Sequence, residues 1–294
     1  NTGVKEGCVQ DCFMAGCPVP GRGAGWKAGT WLVFKRVLMR RFLGQGGQDD
    51  FSFPEGVPFS LWEGDEDCAV TPSVLGDLLE RSMPDARGTG TVYTPRFLVR
   101  WMVREAVSRW VDSALSASHE KGREAERALL KRIRVLDLSA GSGAFTMGIL
   151  HELVRRRKIL EPECSEAALV REAVEDHVYG VDVCAEALEV ARFRFRCALL
   201  AAGDDAHFRD HLICGDSLDL FGVGVRRDVL ARVMKEGGFD LVIGNPPFIG
   251  EKGNKGLFDR LKASRMSAYC SSRMDYWYCL LYTSDAADDL IGVD

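Results

Sequence analysis

The chain has 294 residues, 46% hydrophobic and 28% charged, which is the balance of an ordinary globular protein with room for one or two cored domains. With 43 acidic against 38 basic residues the net charge is −5, so a chain-wide basic field is excluded while a local one is not. No apolar run reaches the roughly 18 residues of a membrane span and no secretory leader is visible, so a cytoplasmic protein without a membrane partner is expected.

Residues 1–70 read as a poorly defined segment. Gly-rich stretches surround "WLVFKRVLMRRFL", whose Lys35, Arg36, Arg40 and Arg41 fit either a solvated helix face or a phosphate contact. Cys8, Cys12 and Cys17 form the one cysteine cluster. They lack a CxxC pair and a nearby His, so no metal is expected. Cys184, Cys197 and Cys214 sit in apolar patterns and read as reduced thiols.

A helical segment is predicted over residues 71–131. "TPSVLGDLLERSM" starts with a Thr-Pro cap signal and continues with helical apolar spacing. After the turn "PDARGTG" comes "TVYTPRFLVRWMVREAVSRWVDSAL". Pro95 suits a first helical turn, and Phe97, Leu98, Trp101, Met102 and Val107 are the predicted apolar stripe. "SHEKGREAERALLKR" is a charged helix or linker.

Residues 132–278 then alternate strand and helix. "IRVLDLS", "HVYGVDV", "HLICGDS" and "FDLVIGNPPF" are strand-like, and "GAFTMGILHELVRRRKI" and "CAEALEVARFRFRCALLAA" are helical. This pattern predicts an α/β fold with a mostly parallel sheet covered on both faces, whose ligands bind at the carboxyl ends of the strands. The polar signals all fall there. Gly141 and Gly143 in "DLSAGSGAF" let a ligand approach the backbone at the positive end of the next helix. The GxGxxG dinucleotide pattern is not met, because Thr146 follows Phe145. Asp137 is either a ligand acceptor or a loop-fixing one. Asp182 and Asp216 suit ribose hydroxyls and an exocyclic amino group respectively, or are helix caps.

"NPPF" closes the fourth strand, with Asp240 to Ile243 expected to be buried. Pro246 and Pro247 cannot donate to a ladder, and the residue before each proline is held extended. Asn245 is thereby pinned at a strand end. Its amide oxygen and the Pro246 carbonyl are two acceptors for one amino group, and the Phe248 ring is free to stack.

This set resembles the gamma-class N6-adenine-specific DNA methyltransferases, above all the single-chain enzymes of restriction–modification systems. "DLSAGSGAF" is similar to their cofactor motif, with Leu138-Ser139 where the family usually has Pro-Ala. "GVDV" and "GDSL" resemble the second and third motifs, and "NPPF" the catalytic one. "GTVYTP" is similar to the N-terminal Gly-x-Tyr-Tyr-Thr-Pro motif, with Val92 in place of the first Tyr. "SRMDYWYCL" resembles the helix after the catalytic loop.

The resemblance implies a Rossmann-like fold and S-adenosylmethionine as methyl donor. Thr94, Pro95, Asp137, Ala140, Gly141, Gly143, Phe145, Asp182 and Asp216 would bind the cofactor. Asn245, Pro246, Pro247 and Phe248 would act on a flipped adenine of double-stranded DNA. Alternatives are a protein-glutamine or RNA methyltransferase using the same loop, and a non-catalytic nucleotide-binding scaffold. "CLLYTSDAADD" resembles a translated sequencing adapter, so residues 279–294 are expected to lie outside the fold. The sheet is expected to be incomplete beyond the fourth strand, with a recognition domain or restriction nuclease missing from the chain.

Overall fold

The computed structural model describes residues 94–119, 121–204, 207–219, 227–263, 267 and 275–278. The expectations for residues 1–70, for the helix beginning at Thr71, for Gly90 to Tyr93 and for residues 279–294 lie outside these.

Helices α1 (Arg96–Ser118) and α2 (Arg123–Leu130) lead into β1 (Val135–Asp137). Then come α3 (Ala144–Leu160), α4 (Glu166–Glu172), a π turn (Ala173–His177) and β2 (Val178–Asp182). α5 (Ala185–Ala201) and β3 (His211–Cys214) follow, with a 3-10 turn at Ser217–Asp219. α6 (Arg227–Lys235), β4 (Leu241–Val242) and α7 (Lys255–Ala263) complete the described elements. The four strands form one sheet in the order β3-β2-β1-β4, and every pairing is parallel. The expected α/β, Rossmann-like methyltransferase fold is therefore present. No described helix is long and apolar enough to cross a membrane.

Packing explains each layer. β1 and β2 are buried on both faces, as parallel strands between helical layers must be. Gly180 on β2 has no room for a side chain: a Cβ there would lie 2.8 Å from Leu212 Cδ2 and 2.9 Å from Ala140 Cβ. α3 and α5 are buried along much of their length, including Phe145, Ile149, Leu150, Leu188 and Phe195.

Two sequence expectations are corrected. The buried face of α1 is Val99, Val103, Val107 and Val111, while Phe97 and Trp101 are 70% and 63% exposed. The reason is distance: α1 lies so close to α3 that a Cβ on Gly148 would sit 2.8 Å from Val99 Cγ1, and aromatic rings do not fit that gap. The fourth strand is also shorter and wetter than expected. It pairs only through Leu241 and Val242, Val242 is exposed, and Ile243 alone is buried. β4 has one strand neighbour, β1, among the described residues.

An ionic network closes the opposite, amino-terminal end of the strands. Buried Glu161 accepts from Arg127 at 2.7 Å and also pairs with Lys131 and Arg157. Arg157 forks onto Glu172 at 2.8 and 3.1 Å. Glu172 meets His177, whose Nδ1 lies 2.9 Å from the Ile133 carbonyl just before β1. The His177 contact, aided by Arg157, holds the Glu172 carboxyl down at about 2 despite its burial. Removing one member of such a network leaves a buried charge unpaired.

Gly180→Ala is expected to destabilise the fold by about 1–3 kcal/mol through overpacking between β3 and the loop after β1. A urea titration comparing midpoints at constant slope checks this.

Candidate active site

The site lies where the strand order reverses, between the carboxyl ends of β1 and β4. All the sequence-predicted residues of the strand ends project from this one rim.

β1 ends on Asp137, which is 1% exposed. Its Oδ1 accepts from Ser139 N at 3.0 Å. Burial pushes its carboxyl up to about 7, and the nearby Asp182 charge adds to this. Asp137 also packs on the backbone of the catalytic-loop candidate: a Cβ on Gly244 would collide with Asp137 Oδ1. A side chain there would have to displace that carboxyl, so the Asn-Pro-Pro-Phe loop starts in contact with the β1 turn. That requirement was not visible in the sequence.

The turn after β1 divides by role. Gly141 has φ +52°, and the nearest atom to its missing Cβ is Ser139 O at 3.9 Å, so its backbone is approachable. Gly143, at φ +92°, instead faces Ala191 of α5 at 2.8 Å, so its lack of side chain lets two helices meet. Ala140 and Phe145 are buried in the core and pack beneath the turn.

Asp182 ends β2. Its Oδ2 accepts from Gly141 N and its Oδ1 from Cys184 N, both at 2.8 Å. It thus fixes the glycine turn and holds the residue before α5, and each oxygen keeps a further lone pair. Burial raises its pKa, against those two backbone bonds. Val183 beside it is 68% exposed, an apolar side chain on the rim that the sequence patterns did not single out.

Beyond β3, Asp216 Oδ1 accepts from Leu218 N at 3.0 Å and from Tyr276 O–H at 2.7 Å. Tyr276 lies 60 residues further along the chain.

At the end of β4, Asn245 Nδ2 donates to Thr94 Oγ1 at 3.0 Å. This bond joins residues 151 positions apart and fixes which way the amide faces. Thr94 immediately precedes Pro95, whose carbonyl accepts from Leu98 N and Val99 N at the start of α1. Pro246 and Pro247 are partly buried, and the Phe248 ring is 58% exposed. Just beyond, Ile249 N donates to Asp275 Oδ1 at 3.0 Å and Ile249 O accepts from Tyr276 N at 2.9 Å. The structure thus gathers Thr94, Asp137, Gly141, Asp182, Asp216 and Asn245 along one rim, and seats Ala140, Gly143 and Phe145 in the packing behind it.

Asp137 carries a pH signature. Its folded pKa of about 7 exceeds the usual carboxylate value of about 3.9, so the folded state holds the proton more tightly. The stability it contributes is complete below pH 4 and is lost as pH rises toward and through 7. Asp137→Asn is expected to melt higher than the unaltered protein by a margin that grows from pH 4 to pH 8, on the order of a few kcal/mol. Paired thermal melts across that range check it.

Comparison with known proteins bears on the same region. Residues 176–286 match the family described as Eco57I restriction-modification methylase. The adenine-specific methyltransferase PglX of Streptomyces coelicolor is 30% identical over 210 residues, covering 60% of this chain and 16% of that protein. A Methanocaldococcus jannaschii protein named as a type II restriction enzyme and methyltransferase, RM.MjaORFECS2P, is 26% identical over 186 residues, covering 51% of this chain and 16% of that one. The chain thus spans about one sixth of the length of these curated relatives. A solved DrdV–DNA complex aligns with 74% of this chain and 22% of that one at 20% identity, with a TM-score of 0.46. The match to that family model runs from the turn before β2 to beyond the Asn-Pro-Pro-Phe loop.

Proposed function

We propose that the chain is the methyl-transferring core of a restriction–modification enzyme, acting on the N6 amino group of adenine in duplex DNA. The observation that carries this reading is the Asn245–Thr94 hydrogen bond. With its NH₂ group committed to Thr94, the amide presents its oxygen as an acceptor, held at a strand end by two prolines.

The rim residues fit S-adenosylmethionine. Gly141 leaves the backbone approachable, Val183 offers apolar surface for a flat ring, and Asp182 and Asp216 place acceptors at neighbouring strand ends. In this reading Asp182 takes the ribose hydroxyls, Asp216 the adenine amino group, and Thr94 and Pro95 bound the methionine end. When bound, the cofactor supplies a methyl group on a positively charged sulfur.

The chain's own task is to make a weak nucleophile attack. The lone pair of an adenine amino nitrogen is delocalised into its ring. The Asn245 amide oxygen and the Pro246 carbonyl accept hydrogen bonds from its two N–H groups and draw that nitrogen toward a tetrahedral shape. Pro247 keeps the carbonyl still, so the lone pair is aimed before reaction rather than during it. Taking the base out of the duplex costs about a few kcal/mol, and stacking on Phe248 offsets roughly 1–3 kcal/mol of that. No covalent enzyme intermediate is needed, so no cysteine acts as nucleophile. The activity belongs in the cytoplasm with the DNA, alongside a recognition domain and a restriction nuclease.

Asn245→Ala in the full-length protein is expected to abolish methyl transfer while leaving cofactor affinity nearly unchanged. Thr94→Val, which keeps the side-chain shape and removes the hydroxyl, is expected to lower kcat by about tenfold, the loss of one orienting hydrogen bond. Calorimetric cofactor titration alongside radiolabelled methyl transfer measures both, and full activity in Asn245→Ala would refute the assignment. Label from S-adenosylmethionine is expected in unmodified duplex DNA as N6-methyladenine. Incorporation into ribosomal RNA or protein glutamine alone would replace this reading with one of those substrates.

A further inference from the structure

Asp275 and Tyr276 touch two parts of the rim at once. On one side they grip the residue after Phe248 in both directions. Asp275 Oδ1 accepts from Ile249 N at 3.0 Å, Tyr276 N donates to Ile249 O at 2.9 Å, and Gly250 pairs with Asp275 as an antiparallel bridge. On the other side the Tyr276 hydroxyl donates to Asp216 Oδ1 at 2.7 Å. The Tyr276 ring is buried with Leu218, Phe258 and Leu261, and Leu138 and Ile249 pack against the same cluster. This small core therefore draws together the turns after β1, β3 and β4, and it is separate from the main core under α1, α3 and α5.

A two-residue segment that fixes Asp216 and the end of the Asn-Pro-Pro-Phe loop cannot let one move without the other. On the methyltransferase reading, on which this assignment rests, we infer that Asp275 and Tyr276 are positioning residues coupling the acceptor for the cofactor's adenine to the loop that receives the target base. The Tyr276 hydroxyl occupies Oδ1 of Asp216 and orients the carboxylate. The Asp275 carboxylate and the Tyr276 backbone set where the chain leaves Phe248. Cofactor held at Asp216 thereby tightens the loop, and by reciprocity an ordered loop tightens cofactor binding.

Three variants of the full-length protein test this, with S-adenosylhomocysteine as the binding probe. Tyr276→Phe keeps the ring in its cluster and is expected to weaken S-adenosylhomocysteine binding by about tenfold. Asp275→Ala does not alter the group on Asp216. It is nevertheless expected to weaken the probe several-fold and to lower kcat at saturating cofactor by tenfold or more. Asp275→Asn, whose amide oxygen still accepts from Ile249 N, is expected to restore both values. The double variant Tyr276→Phe, Asp275→Ala is expected to bind the probe no worse than the poorer single one, since both act through one segment.

Unchanged probe affinity in Tyr276→Phe, or loss of kcat in Asp275→Ala with probe affinity intact, overturns the coupling. Should Tyr276→Phe fail to fold, the Asp275→Ala and Asp275→Asn pair decides alone. Failure of the unaltered protein to bind the probe or transfer methyl groups would sink the methyltransferase reading instead, a result distinguishable from the others.

Discussion

The parallel pairing of β4 against β1 is the constraint on which the rest of the structure depends. It reverses the strand order, opens a crevice between two strand ends and brings residues from opposite ends of the described chain to one rim. The pairing spans only two residues, so other contacts must hold its carboxyl end in place. One is the close approach of Gly244 to the buried Asp137 carboxyl, and another is the Thr94 bond to Asn245. A bulkier residue at 244 would collide with the Asp137 carboxyl at the point where the acceptors converge.

The two ends of the sheet are built on different principles. At the amino-terminal end, Glu161 and Glu172 pair with Arg127 and Arg157, with His177 hydrogen-bonded beside Glu172, so charge is satisfied within the fold. At the carboxyl end, carboxylates and amides bind backbone N–H groups and hydroxyls but keep lone pairs to spare, and apolar side chains such as Val183 and Phe248 stand in solvent. One end is internally complete and the other is arranged to receive something.

Much of this was legible in the sequence. The four strands, their order of polar ends and the parallel sheet followed from short apolar runs stopped by Gly, Asp and Pro. What escaped had physical causes. The buried side of α1 was misread because aromatic bulk suggested core, whereas close packing against Gly148 selected small branched valines. α6 was missed because it is short, nine residues, with charged residues interrupting its apolar ones, and Leu230 and Val233 are its buried anchors. The Tyr276–Asp216 and Asn245–Thr94 bonds join residues 60 and 151 positions apart, and no local pattern encodes such pairings. Gly143 was read as a ligand-facing glycine, yet its space belongs to Ala191, a distinction that depends on the neighbouring helix.

The crowding at Gly244 also bounds how this rim can diversify. Its backbone lies against the Asp137 carboxyl, so a side chain at that position would have to displace a buried acid that is held by Ser139 N. Val183 and Phe248 point outward and can be exchanged without disturbing their neighbours' packing. The room for new ligand contacts therefore lies at those two outward side chains, while the backbone at 244 stays confined by its neighbour.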